Sequence, residues 1–185
     1  MAKEEATSSS EAEAPIEIDL RNPTLAALLA WLWPGAGHLY QRRYVKGVLF
    51  MVCVLASYVI GMVLGGGRVV YASWAKGDRR WQYLCQVGVG LPALPALLQN
   101  RLVRSGQKPL FGGLMAPPVD VVENAEDELA GWHEQLAGKF DLGTLYTMIA
   151  GLLNVLAICD AFAGPFVPAP EDEKKKKNPD LPAPK

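Results

Sequence analysis

The sequence predicts an all-α integral membrane protein of about four transmembrane helices, flanked by disordered tails. Three observations predict it. Apolar residues are concentrated in the middle of the chain, two of the apolar runs lack any polar face, and glycine, proline and aromatic residues gather where those runs end. A soluble helix alternates an apolar stripe with a polar one. A soluble domain of 185 residues has room for few helices that are apolar all round. The count falls to three spans if the third segment does not cross.

The elements follow in chain order. Residues 1–23, MAKEEATSSSEAEAPIEIDLRNP, and residues 165–185, with the tetralysine Lys174–Lys177, are polar, charged and proline-containing. Such compositions bury too little apolar surface to offset the entropy of ordering, so both tails are expected to be disordered. The N-terminal tail is acidic and serine-rich, unlike a secretory signal. No lipidation motif is present, so attachment is expected from the apolar segments of a transmembrane domain over residues 24–164.

Asn22 followed by Pro23 reads as an N-cap with proline at the first helical position, opening a first span over about 24–41. The second span, 45–64, has one charge at its edge, and about 20 residues match a hydrocarbon core of about 30 Å. The third, 81–99, is bent by Pro92 and Pro95. A linker follows, with an amphipathic helix over about 121–140 whose Ala125, Leu129, Trp132, Leu136 and Phe140 share a face. That helix reads as packed on the protein's own surface, or else as an interfacial or partner-binding element. The fourth span covers 142–163, with Asp141 placed to cap it. Trp31, Trp33, Tyr40, Tyr44, Trp74, Trp81 and Tyr83 fall at the expected interfaces, where such rings keep one part apolar and another hydrogen-bonded.

WLWPGAGHLYQRRYVKG invites a chemical reading, which its spacing rejects. A phosphate loop needs a Gly-Lys-Ser/Thr ending, and a dinucleotide fingerprint needs a third glycine after a strand. His38 and His133 are 95 residues apart, outside any metal-ligand spacing. Cys53, Cys85 and Cys159 are odd in number, sit in apolar segments and form no CxxC, so they are expected to be inert buried thiols. Pro34, Gly35, Gly37, His38, Tyr40, Arg42, Arg43 and Gly47 therefore read as a membrane turn. No catalytic, cofactor-binding or metal-binding residue is assigned, and neither an enzyme nor a cofactor is expected. The net charge of −1, without a basic face interleaved with aromatics, gives no case for nucleic acid.

Polar residues inside the fourth span carry more. Asn154 and Asp160 form a candidate intramembrane polar site, because such residues are costly there without a role. Gly143, Thr147 and Gly151, continuing to Asn154, make a small-residue face. The second span offers Cys53, Ser57, Gly61 and Gly65. Small residues let helix backbones approach in a membrane, and an asparagine hydrogen bond can hold them together.

At Gly37, His38, Tyr40 and Gly47 the chain resembles the two-transmembrane-helix domain family, with Arg42 standing where that family usually has a glycine. DLGTLYTMIAGLLNVLAICDAFAGP is similar to a family of small, uncharacterised bacterial membrane proteins. The resemblances imply a multi-pass protein of the bacterial cytoplasmic membrane without an established activity. The expected function is a non-enzymatic assembly or scaffold component, contacting lipids and packing through its small-residue faces with itself, a second copy or other membrane proteins. The alternative is a small transporter or permeation protein using Asp160, Asn154 and the broken third span. A slight excess of Lys and Arg places the termini on the cytoplasmic side.

Overall fold

The computed structural model describes residues 22–75, 78–118 and 128–164. The tails, and the first part of the expected linker helix, lie outside the described residues. Among the described residues the regular structure is helical apart from a two-residue antiparallel ribbon, β1 (Trp74–Ala75) with β2 (Asp78–Arg79). The helices are α1 (Pro23–Leu32), α2 (Ala36–Tyr40), α3 (Tyr44–Leu64), α4 (Gln82–Gln86), α5 (Pro95–Arg104), α6 (Glu128–Leu136) and α7 (Gly138–Ala163).

Among the described residues, two helices are long and apolar enough to cross a membrane, α3 with 21 residues and α7 with 26. At 1.5 Å per residue they reach about 31 Å and about 39 Å, enough for the hydrocarbon core. Neither of the other two segments expected to span forms one helix of that length. The first, 24–41, divides into α1 and α2 at Trp33-Pro34-Gly35. The third, 81–99, divides into α4, two single-turn 3₁₀ pieces and the start of α5. Proline removes a backbone donor and clashes with the preceding turn, and glycine accepts conformations other residues resist, so both segments fold back.

The contacts give the directions. Arg43 and Lys46, where α3 begins, bond to Asp160, where α7 ends. At the opposite end, Gly61 packs on Gly143 and Thr147. The two long helices are therefore antiparallel. The α1–α2 hairpin opens at the Asp160 end. Asn22 caps α1 by accepting from the Thr24 and Leu25 amides at 3.1 and 3.3 Å, and α2 returns against Ala26 and Ala30. The α4–α5 hairpin opens at the other end. Gln86 lies beside Thr147 and Gly88 beside Gly151. The chain reverses where Tyr58 and Tyr83 donate to the Pro92 and Ala93 carbonyls, each at 2.9 Å. It then returns until the Met115 amide donates to Gly67 O at 2.9 Å.

The hairpin tips meet at Gly90, whose φ of 88° suits glycine alone and whose absent Cβ makes room for the Trp31 carbonyl. The core is closed by the irregular stretch Val69–Ser73, with Tyr71 fully buried edge-on to Trp132. The linker helix ends at Leu136 rather than near 140. Ala137 adopts φ 46°, and α7 starts at Gly138, four residues before the expected 142. Asp141 lies exposed in the first turn of α7 and is not its N-cap.

Candidate functional site

α7 carries the polar residues that organise the molecule, at three levels. At its C-terminal end, the Asp160 carboxylate accepts from His38 Nε2 at 2.8 Å and from Arg43 Nη2 at 2.8 Å. Lys46 Nζ approaches both carboxylate oxygens, at 3.4 and 3.5 Å. Gln41 Nε2 donates to Ala161 O at 2.7 Å. Charge-assisted hydrogen bonds of this kind are about twice as strong as neutral ones. They fasten the turn between α2 and α3 to the end of α7. The His38 ring is fully buried and tilted against Phe50 at 4.9 Å between centroids. With Nε2–H donated to the carboxylate, Nδ1 is left without a hydrogen-bond partner.

About two turns further in, Asn154 is fully buried. Its Nδ2 donates one proton to Ala30 O at 3.1 Å and the other to Gly88 O at 2.9 Å. One carbonyl belongs to each hairpin, so a single amide ties both tips to α7. Asn154 and Asp160, paired at sequence level as one polar site, are separate here. They lie about 120° apart around the helix and share no partner.

The third level is near the start of α7. Gln86 Nε2 donates to Thr147 Oγ1 at 2.9 Å and to Val69 O at 3.1 Å. Arg80 Nη2 donates to Thr144 Oγ1 at 3.0 Å and to Val69 O at 3.2 Å. Its guanidinium lies over Tyr71 at 4.6 Å and over Phe140 at 5.2 Å. Arg80, Thr144 and Gln86 were not singled out from sequence. The signal for Gln86 was present, a polar amide inside an otherwise apolar run. For Arg80 no sequence pattern separates a buried arginine from a loop charge.

The small-residue positions fall in two groups. On α7, Gly143, Thr147, Gly151 and Asn154 are all buried. A Cβ on Gly61 would lie 2.7 Å from Gly143 O, and one on Gly151 would strike Cys85 O, so the backbones approach where these glycines stand. On α3, Gly61 and Gly65 are buried, but Cys53 is exposed and Ser57 is half-buried, its hydroxyl returning to Cys53 O. The buried face of α3 runs instead through Gly47, Val54, Tyr58 and Gly61. A strict four-residue step drifts about 40° per step on a 3.6-residue helix, which carries Cys53 off the contact.

In the turn, Pro34, Gly35 and Gly37 are buried, Gly35 against the Gly47 carbonyl and Gly37 against that of Ala26. Tyr40 is half-buried and Arg42 is exposed, with φ 62°. Among the described residues no group of three His, Cys, Asp or Glu side chains is placed to hold a metal.

A family model described as "Family of unknown function (DUF6677)" matches residues 25–175, which takes in all but the first residues of the helical body. The chain belongs to the DUF6677 family. No curated protein and no solved structure matches it. The DUF6677 match spans both hairpins and both long helices, so the three polar levels of α7 all lie inside the family region.

Proposed function

We propose that this DUF6677 chain is a multi-pass protein of the bacterial cytoplasmic membrane with a non-enzymatic, scaffolding role. Its unit is two spanning helices, α3 and α7, and two hairpins that enter from opposite faces. One observation carries the reading: Asn154 donates to Ala30 O and Gly88 O at once. Polar side chains in the membrane are costly unless paired. Here Asn154, Asp160, His38 and Arg43 are engaged in holding elements together, as a scaffold requires.

Gly61 at the end of α3 and Gly143 at the start of α7 close on each other within the chain. A partner span would therefore meet the outer side of α3, where Val48, Val52, Val59 and Val63 are exposed. Crosslinking in native membranes, followed by purification, tests this. A discrete complex with a second copy or another membrane protein, lost on Val52→Lys with Val59→Lys, is the expected result. A chain that crosslinks to no protein overturns it.

Permeation is the second reading, favoured by Asn154 Oδ1 and Gln86 Oε1, two buried acceptors without partners beside broken helices. Discontinuous helices can build solute sites at membrane depth. Solute flux into proteoliposomes that disappears in Gln86→Leu, in protein of unchanged stability, would select it over the scaffold.

A further inference from the structure

The return arm of the second hairpin has features that neither scaffolding nor permeation uses. From Arg79 to Val119 the sequence contains no Asp or Glu, while Arg101, Arg104 and Lys108 are exposed and, among the described residues, in no ion pair. Beside them stands an apolar tip, Leu110-Phe111-Gly112-Gly113-Leu114. Phe111 is 78% exposed, and Leu110 and Leu114 are also open.

This tip is built rather than loose. The buried Gln99 amide clasps it, Nε2 donating to Leu110 O at 2.7 Å and Leu114 O at 2.9 Å, while Oε1 accepts from Leu110 N at 3.0 Å. Phe111 and Met115 adopt φ of 51° and 58°, a region that costs a non-glycine residue about 1 kcal/mol or more. The clasp holds the backbone there and leaves the phenyl ring outward. The Met115–Gly67 bond sets the tip level with the end of α3, which is headgroup depth if α3 spans.

The geometry points to an anionic-phospholipid anchor, with Phe111 and its neighbouring leucines inserted below the headgroups and Arg101, Arg104 and Lys108 on the phosphates. Basic residues flanking an apolar wedge bind such surfaces through both terms together. The inference rests on the membrane reading above, because the depth of the tip is taken from α3.

The test uses the full chain in vesicles of phosphatidylcholine with and without phosphatidylglycerol. In a background lacking the three native cysteines, spin labels are placed at Phe111→Cys and, as reference, at Val59→Cys on the outer side of α3. Both labels are expected to collide with oxygen rather than with a water-soluble nickel chelate. Native mass spectrometry of the purified chain is expected to show phosphatidylglycerol retained over phosphatidylcholine. Removing charge at Arg101→Gln, Arg104→Gln and Lys108→Gln lowers that preference roughly fivefold per residue, the factor equivalent to about 1 kcal/mol per basic side chain. Arg42→Gln, at the other end of the molecule, leaves it unchanged, as does excess glycerol phosphate.

Phe111→Ser, which leaves the charges in place, is expected to lower lipid retention without destabilising the fold. A label at Phe111 in water while Val59 is in lipid overturns the anchor and leaves the membrane reading standing. Both labels in water remove both. Spin–spin broadening confined to Phe111 assigns the tip to a second copy, which also overturns the anchor.

Discussion

Replacing Asn154 with leucine takes the buried amide away from two carbonyls, Ala30 O and Gly88 O. An unsatisfied buried polar group costs about 1–3 kcal/mol, and interhelical hydrogen bonds in membranes average nearer 0.6 kcal/mol. The expected result for Asn154→Leu is a clear fall in the thermal midpoint of the detergent-solubilised chain, followed by light scattering or circular dichroism. An unchanged midpoint would show that the tips do not depend on the amide. Asp160→Asn keeps the shape but weakens three charge-assisted contacts at once, those to His38, Arg43 and Lys46. It is expected to destabilise by about 1–3 kcal/mol. Arg43→Gln should reproduce most of that loss, and the double variant should be less than additive because both act on one cluster. Full additivity in that cycle would separate the two residues.

Glycine decides how close the elements come. Gly61→Leu would drive a side chain into Gly143 O and Thr147, so α3 and α7 are expected to part, with a loss of about 1–3 kcal/mol. Gly90→Ala places a methyl against the Trp31 carbonyl with φ at 88°, and limited proteolysis should then cut the second hairpin without first opening α3 against α7. Equal protection of Gly90→Ala and the native chain would count against tip-to-tip contact. The sequence announces some of these elements and hides others, for physical reasons. The long apolar helices expected over 45–64 and 142–163 are legible because an unbroken apolar run of membrane length has few alternatives. Asn22 and Pro23 also announce the start of α1. The fold-back of 24–41 and 81–99 is not legible, because the donor that satisfies both tips lies far along the chain at Asn154. His38 and Asp160 each stand out in the sequence, but their pairing crosses 122 positions and leaves no local pattern.

At the scale of the whole molecule, two spans with opposed hairpins differ from four spans in one measurable respect. Four spans would place the turn at Arg42 and the stretch after α5 on the same side of the membrane. Two spans and two hairpins place them on opposite sides, with Trp74 and Ser105 together and Arg42 across from them. Single cysteines at Arg42, Trp74 and Ser105, in a chain without its native cysteines, report this by labelling from each face of sealed vesicles. The expected pattern is Arg42→Cys modified from one side and the other two from the opposite side. Arg42→Cys and Ser105→Cys labelled from the same side would return the four-span arrangement.

Both hairpin tips hang from an amide on α7, a helix synthesised after both of them. During synthesis the carbonyls of Ala30 and Gly88 lack their final partner until Asn154 has been made. The first hairpin waits through more than a hundred residues of elongation. In the proposed bilayer setting, a nascent chain in that state holds polar backbone groups where lipid offers them no partner. The order of synthesis therefore matters to this fold: neither hairpin tip can take its final form until α7 lies beside it.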